Sequence, residues 1–186
     1  MTVSSILWRR LDQPGHDAAR LTEHPDGPRL EGTAVFDEGG RPCRLDYLVA
    51  CDSAWQTVSA RVLGWIGDTA VELAIVADGH RRWTINGEPC PQVAGCHDVD
   101  LSFTPATNLL AIRRTQVAVC GRVAVRSAWL DFPSLRFEPL DQTYARLDDT
   151  AWHYESNGGT FIARLVTNAA GFVIDYPGLW TRESGD

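Results

Sequence analysis

The side chains best equipped for chemistry gather in one stretch, Asp98-Val99-Asp100-Leu101-Ser102-Phe103-Thr104-Pro105-Ala106-Thr107-Asn108-Leu109-Leu110-Ala111-Ile112-Arg113-Arg114. In an extended segment Asp98 and Asp100 share a face. Two carboxyls on one face are the equipment of glycoside hydrolysis, ~5–5.5 Å apart for retention and ~6.5–9.5 Å apart for inversion. Residues two apart on a strand have Cα atoms ~6.5–7 Å apart, so the spacing permits this chemistry. The same spacing recurs in many strands and singles out no reaction. Arg113 and Arg114 offer planar forks for a carboxylate, a phosphate or a polyhydroxyl headgroup. If the chain is extended there, the two point to opposite faces and at most one faces an interior. That arginine either pairs with Asp98 or Asp100 or binds a ligand. Thr104 lies on the polar face of the same stretch. Asn108, Gln142 and Tyr144 add groups that hydrogen-bond hydroxyls, and Arg126 and Arg146 are further candidates.

Other chemistries find little support. No nucleophile elbow or phosphate-binding loop is present. His80, Cys90, Cys96 and His97 lie near one another without the CxxC or HxxxH spacing of zinc sites, so neither a metal nor a cofactor is expected. His16, His24 and His153 fit no pattern at all. Seven tryptophans, at 8, 55, 65, 83, 129, 152 and 180, serve core packing or stack on sugar rings. A cluster facing one opening would favour stacking.

The elements that must position these residues read as strands. Val99, Leu101 and Phe103 alternate with Asp98, Asp100, Ser102 and Thr104. Pro105 ends that strand because it gives no amide hydrogen to a ladder. Thr107 and Asn108 suit a turn, and the apolar run Leu109 to Ile112 reads as a second strand ending in the arginines. Elsewhere Ile6 to Leu11 reads as an edge strand, and Gln13 to Pro28 as loop with at most one helical turn. Alternating runs follow from Leu30 to Phe36, Arg41 to Asp52, Trp55 to Trp65 and Thr69 to Ala77. Their turns fall at Gly39-Gly40, Gly67-Asp68, Asp78-Gly79 and Asn86-Gly87. Glu88 to His97 is a connection. Gln116 to Ala128 is a long strand broken at Gly121, and short strands and hairpins continue to Tyr176. Roughly twelve strands and no helix beyond two turns define an all-β chain. They form a single domain over 1–186 with its core at about 6–182, built as a strongly curved antiparallel sheet, a half-barrel or a barrel.

The totals bound the function. At 186 residues the chain is one domain with a proper core. A net charge of −7 excludes a general nucleic-acid binder. All seventeen basic residues are arginine, a pattern that genome composition explains without function. Five cysteines at irregular spacing imply reduced thiols, with Cys43 and Cys51 buried as small apolar groups. The N-terminus MTVSSILWRRLDQPG lacks a secretion pattern, and no apolar run approaches the ~20 residues of a membrane span. The expectation is a cytoplasmic protein without an integral membrane segment.

Four stretches carry a family resemblance: TPATNLLAIRR from Thr104 to Arg114, Phe132-Pro133-Ser134-Leu135, Gln142-Thr143-Tyr144-Ala145-Arg146-Leu147, and Gly171-Phe172-Val173-Ile174-Asp175-Tyr176-Pro177. The chain resembles a bacterial family called putative glycolipid-binding, formerly a domain of unknown function, from Trp8 to Arg182. One departure is Ala111, where the family pattern carries proline. The resemblance implies a mostly antiparallel β fold, similar to the curved sheets of bacterial lipoprotein carriers, and a lipid or glycolipid as ligand. The resulting reading is non-catalytic binding of an amphipathic molecule in the concave interior of the sheet. Asp98, Asp100, Thr104, Asn108, Arg113, Arg114, Arg126, Gln142 and Tyr144 are the candidate contacts. The alternative is a sugar- or lipid-directed hydrolase or isomerase working through Asp98 and Asp100.

Overall fold

The structure is a computed structural model that describes residues 2–185. Its strands are β1 (Val3–Arg10), β2 (Gly15–Thr22), β3 (Arg29–Glu38), β4 (Arg41–Cys51), β5 (Thr57–Ile66), β6 (Thr69–Ala77), β7 (Trp83–Ile85), β8 (Glu88–Pro89) and β9 (Asp98–Leu101), followed by β10 (Arg122–Leu130), β11 (Phe137–Arg146), β12 (Ala151–Ser156), β13 (Phe161–Thr167), β14 (Val173–Tyr176) and β15 (Trp180–Gly185). One helix, α1 (Asn108–Thr115), lies between β9 and β10. All fifteen strands join one sheet in the order β8-β7-β6-β5-β4-β3-β2-β1-β15-β14-β13-β12-β11-β10-β9. The chain is thus two meanders sewn together where β1 pairs with β15.

Period-two burial fixes the concave face. Ile6 and Trp8 of β1, Asp17, Ala19 and Leu21 of β2, and Leu45, Tyr47 and Val49 of β4 turn inward, and their neighbours face solvent. Cys43 and Cys51 are buried on this same face of β4. Gly32 of β3 sits opposite Tyr47, and a Cβ there would come within 2.3 Å of the tyrosine hydroxyl. Its missing side chain lets Tyr47 lean across to Asp17, whose carboxylate accepts that hydroxyl at 3.0 and 3.1 Å.

The sheet rolls up but does not close. Its β5–β8 end lies over the back of its β9–β11 end. There the Trp83 ring meets Phe137 at 5.7 Å, the Gln92 side chain donates to the Phe137 carbonyl at 2.8 Å, and the Thr57 amide donates to the His97 carbonyl at 3.0 Å. Val99 and Leu101 are fully buried under this overlap, while Asp98 and Asp100 face the inside of the roll. The overlap covers part of the exposed edge that closure into a barrel would have removed.

Four expectations are corrected. The run Leu109 to Ile112 is not a strand but the body of α1, with Ala111 inside it. β9 and β10 pair in parallel, and a parallel pair needs a crossover, which α1 supplies. Residues 108–112 are all buried, because the roll surrounds the helix. Gln116 ends it in the left-handed region at φ 47°, ψ 42°. Second, Gln13 to Pro28 is largely β2, whose inward alternation was masked by a buried charge, Asp17. Third, β1 is an internal strand, paired on both sides, and not an edge. Fourth, the long strand expected from Gln116 begins only at Arg122.

Helix α1 fills the concave face. Leu109 and Leu110 are wholly buried and join Trp8, Phe103 and Phe172 in one hydrophobic core. The rings of Trp8 and Phe172 meet edge to face at 5.6 Å. Among the described residues no helix is long and apolar enough to cross a membrane.

Candidate functional site

β9, the first turn of α1 and the link between them place a carboxylate, an amide and the hydroxyls of Ser102 and Thr104 around one hollow. Asp100, next to the end of β9, faces inward. Its Oδ2 accepts the Gln142 side-chain amide at 2.7 Å, and its Oδ1 accepts the Thr107 hydroxyl at 3.4 Å. Gln142, on the concave face of β11, also donates to Tyr154 at 2.9 Å and accepts the Ser127 hydroxyl at 2.8 Å. Asn108 opens α1 and donates to the Tyr144 hydroxyl at 2.9 Å. Tyr144 and Tyr154 lie 5.0 Å apart, and Tyr154 and Tyr176 6.2 Å apart, between ring centres. Four adjacent strands thus converge on the start of the helix.

A cavity of about 240 Å³ opens beside this network. Asp100, Thr104, Asn108, Ser156 and the Tyr154 side chain supply its polar wall, and Trp129, Phe161, Tyr176 and Trp180 supply aromatic faces. Burial pushes the Asp100 carboxyl up from 3.8 to about 6, against the hydrogen bonds of Gln142 and Thr107, which pull it down. Burial likewise holds Tyr144, Tyr154 and Tyr176 well above the usual phenol range, so all three stay neutral donors.

Behind the cavity sits a second buried carboxylate. Asp17 accepts the Tyr47 and Thr104 hydroxyls, and no cation among the described residues bonds it. Burial drives its carboxyl from 3.8 up to about 7. Thr104, which also lines the cavity, links the two carboxylates' surroundings.

The remaining sequence candidates go elsewhere. Arg113 and Arg114 occupy the last turn of α1, not alternate faces of a strand, and each holds an acid. Arg114 clamps Asp98 through three contacts of 2.6, 2.8 and 3.1 Å. Asp98 is almost wholly buried and is not part of the cavity wall. Asp98 and Asp100 therefore present no pair of carboxyls to a common ligand, and the geometry gives no support to hydrolase or isomerase chemistry through them. Arg113 donates to Glu23 at 2.6 Å and stacks 4.6 Å above the Trp55 ring. Arg126 stands exposed on the outer face beside Asp141, 3.6 Å away, remote from the concave face.

Other hollows lie elsewhere on the molecule. One of about 490 Å³ at the C-terminal end of α1 holds Trp55 with Arg113 and Trp152 with Arg146. Arg146 gives its donors to the carbonyls of Val117, Asp148 and Asp149, so this cleft offers aromatic faces without a free anion cradle. A broad hollow of about 620 Å³ lies on the outer face of β1–β4, beside the Arg20–Glu31 ion pair.

The structure brings five of the sequence candidates, Asp100, Thr104, Asn108, Gln142 and Tyr144, into one neighbourhood. Asp17, Tyr47, Tyr154 and Tyr176 join them without being sequence candidates, and Trp129 and Trp180, two of the seven tryptophans, line the same opening. Tyr154 and Tyr176 each show inward alternation in their own strands, but only the strand order places them side by side.

A family model described as putative glycolipid-binding matches residues 5–182. The chain belongs to that family. A crystal structure of a DUF1089 family protein from Pseudomonas aeruginosa is similar to it throughout, at 33% identity and a TM-score of 0.81, over 89% of this chain and 90% of that one. The rolled sheet is therefore shared with a solved member of that group. Among curated proteins none matches the chain.

Proposed function

We propose that this protein is a non-catalytic binder of an amphipathic lipid and that it reads the lipid's sugar-bearing end in the Asp100 cavity. The observation that carries the reading is the composition of that wall: a carboxylate, an amide and hydroxyls aimed between aromatic faces. Hydroxyl-rich rings need such acceptors and donors at their edges and apolar surface at their faces. Drug-sized ligands occupy pockets of ~300–1,000 Å³. At about 240 Å³ this cavity suits one ring and not a whole lipid. Because α1 fills the concave face, the acyl part stays outside the interior, contrary to a simple carrier in which the sheet wraps the chain. The family name supports a glycolipid as the class.

Native mass spectrometry of the protein incubated with host lipid extract tests the reading. The expected result is a mass gain that organic solvent removes and that fragments to a hexose-bearing lipid. Asn108→Ala and Trp129→Ala, each folded by circular dichroism, are expected to lower that gain about tenfold. A bare chain mass with every extract overturns the reading.

A further inference from the structure

The charge balance of the cavity narrows the headgroup. Asp100 faces the hollow with an oxygen whose acceptor capacity exceeds its two neutral partners, Gln142 and Thr107. Among the described residues no basic side chain lines the wall. The nearest guanidinium on α1, that of Arg114, is consumed by Asp98, and Arg10 lies against the Trp180 ring, 5.0 Å from its centre, with Asp12 as its own partner. An anionic group entering here would meet a carboxylate with no cation to offset it. A cation would meet a counter-ion and several ring faces, the arrangement that stabilises a desolvated ammonium.

We infer that the headgroup selected by this cavity carries a protonated amine, as an amino sugar does, with Asp100 as its counter-ion and the faces of Trp129, Trp180 and Tyr176 around it. This rests on the glycolipid reading above and sharpens it. A sugar phosphate, a sulfated sugar and a uronic acid are excluded by the same wall. A neutral sugar fits the hydrogen-bonding groups but leaves the carboxylate's charge unmet. The amine also relieves the cost of burying Asp100, so ligand and protein stabilise each other.

The test uses three octyl glycosides of equal tail: glucoside, glucosaminide with a free amine, and N-acetylglucosaminide. Titration calorimetry on the full chain at about pH 7.5 is expected to show the free amine binding roughly tenfold or more tighter than the other two. Asp100→Asn is expected to erase that preference, so that in the variant the free amine and the glucoside bind within about twofold of each other. If that variant misfolds, wild type at falling pH gives the same information. The preference should fade as Asp100 gains its proton near about 6. The other groups facing it are Asp98 and Arg114, paired with each other, and the neutral phenols of Tyr144, Tyr154 and Tyr176. Equal affinity for amine and glucoside overturns the amine inference and leaves the glycolipid reading standing. Binding of none of the three overturns both.

Discussion

At the scale of single residues, the molecule keeps two carboxylates inside its roll, and no cation among the described residues bonds either. Asp17 has no exposed surface, and its partners are the hydroxyls of Tyr47 and Thr104. Burial raises its carboxyl from 3.8 to about 7, and that of Asp100 to about 6, so the folded state holds protons that the unfolded chain has already released. The direction is opposite to that of a salt-bridged aspartate. The contribution of each group to stability is best below its ordinary value and is lost as pH rises towards its folded one. For Asp17 the loss between about pH 5 and about pH 8 is on the order of 3 kcal/mol. Urea unfolding across that range should show wild type losing this much relative to Asp17→Asn. Parallel pH curves for the two proteins would mean that Asp17 is already ionised in the fold.

At the scale of elements, α1 and β9 are bound to each other by Arg114 and Asp98, and this joint sets the position of Asp100 two residues on. Arg114→Ala leaves a carboxylate with 2% side-chain exposure unpaired, which costs about 3–5 kcal/mol. Adding Asp98→Ala should recover a large part of that loss in thermal melts. If single and double variants are equally unstable, the pair carries no coupling and the helix is held by Leu109 and Leu110 alone. This joint also shows what the sequence could and could not reveal. Alternation exposed β3 to β6 and β9 because one residue in two is apolar there. The run Leu109 to Ile112 gave no period, since a short apolar run reads the same in a buried strand and in a helix enclosed on every side. A strand there would put Arg113 and Arg114 on opposite faces, whereas a helical last turn lets both find acids and complement the helix dipole. β2 was hidden by the charge of Asp17 at an inward position, so the residue that most needed explaining also concealed the strand bearing it. Asp100, Asn108, Gln142 and Tyr144 were legible as polar groups in alternating or turn positions. Their meeting was not, because it depends on the parallel β9–β10 pair and on strand order.

At the scale of the whole molecule, the open roll must be fastened where its ends overlap, and Arg81 contributes three hydrogen bonds there. Arg81 takes a left-handed backbone at φ 58° and sends its guanidinium to three carbonyls: Cys96 at 3.0 Å, Thr57 at 2.8 Å and His97 at 2.8 Å. These lie on the start of β5 and on the segment that leads into β9, so a single planar fork ties the outer layer to the strand that carries Asp98 and Asp100. Beside it the Trp83 indole donates to the same Cys96 carbonyl at 3.1 Å, and the Arg81 guanidinium lies 5.1 Å from the Trp83 ring centre. A lysine has one ammonium and no fork, so it reaches at most part of this set. Arg81→Lys should therefore speed hydrogen exchange at Thr57 and Val99, whose amides donate to the His97 carbonyl and to the Thr57 hydroxyl, while the β11–β13 ladder keeps its protection. The same variant should weaken octyl glycoside binding several-fold, although Arg81 is no part of the cavity wall, because β9 sets the place of Asp100. Faster exchange with unchanged affinity would separate the fastening from the site. Unchanged exchange would show that Trp83 against Phe137, and not the guanidinium, keeps the roll shut.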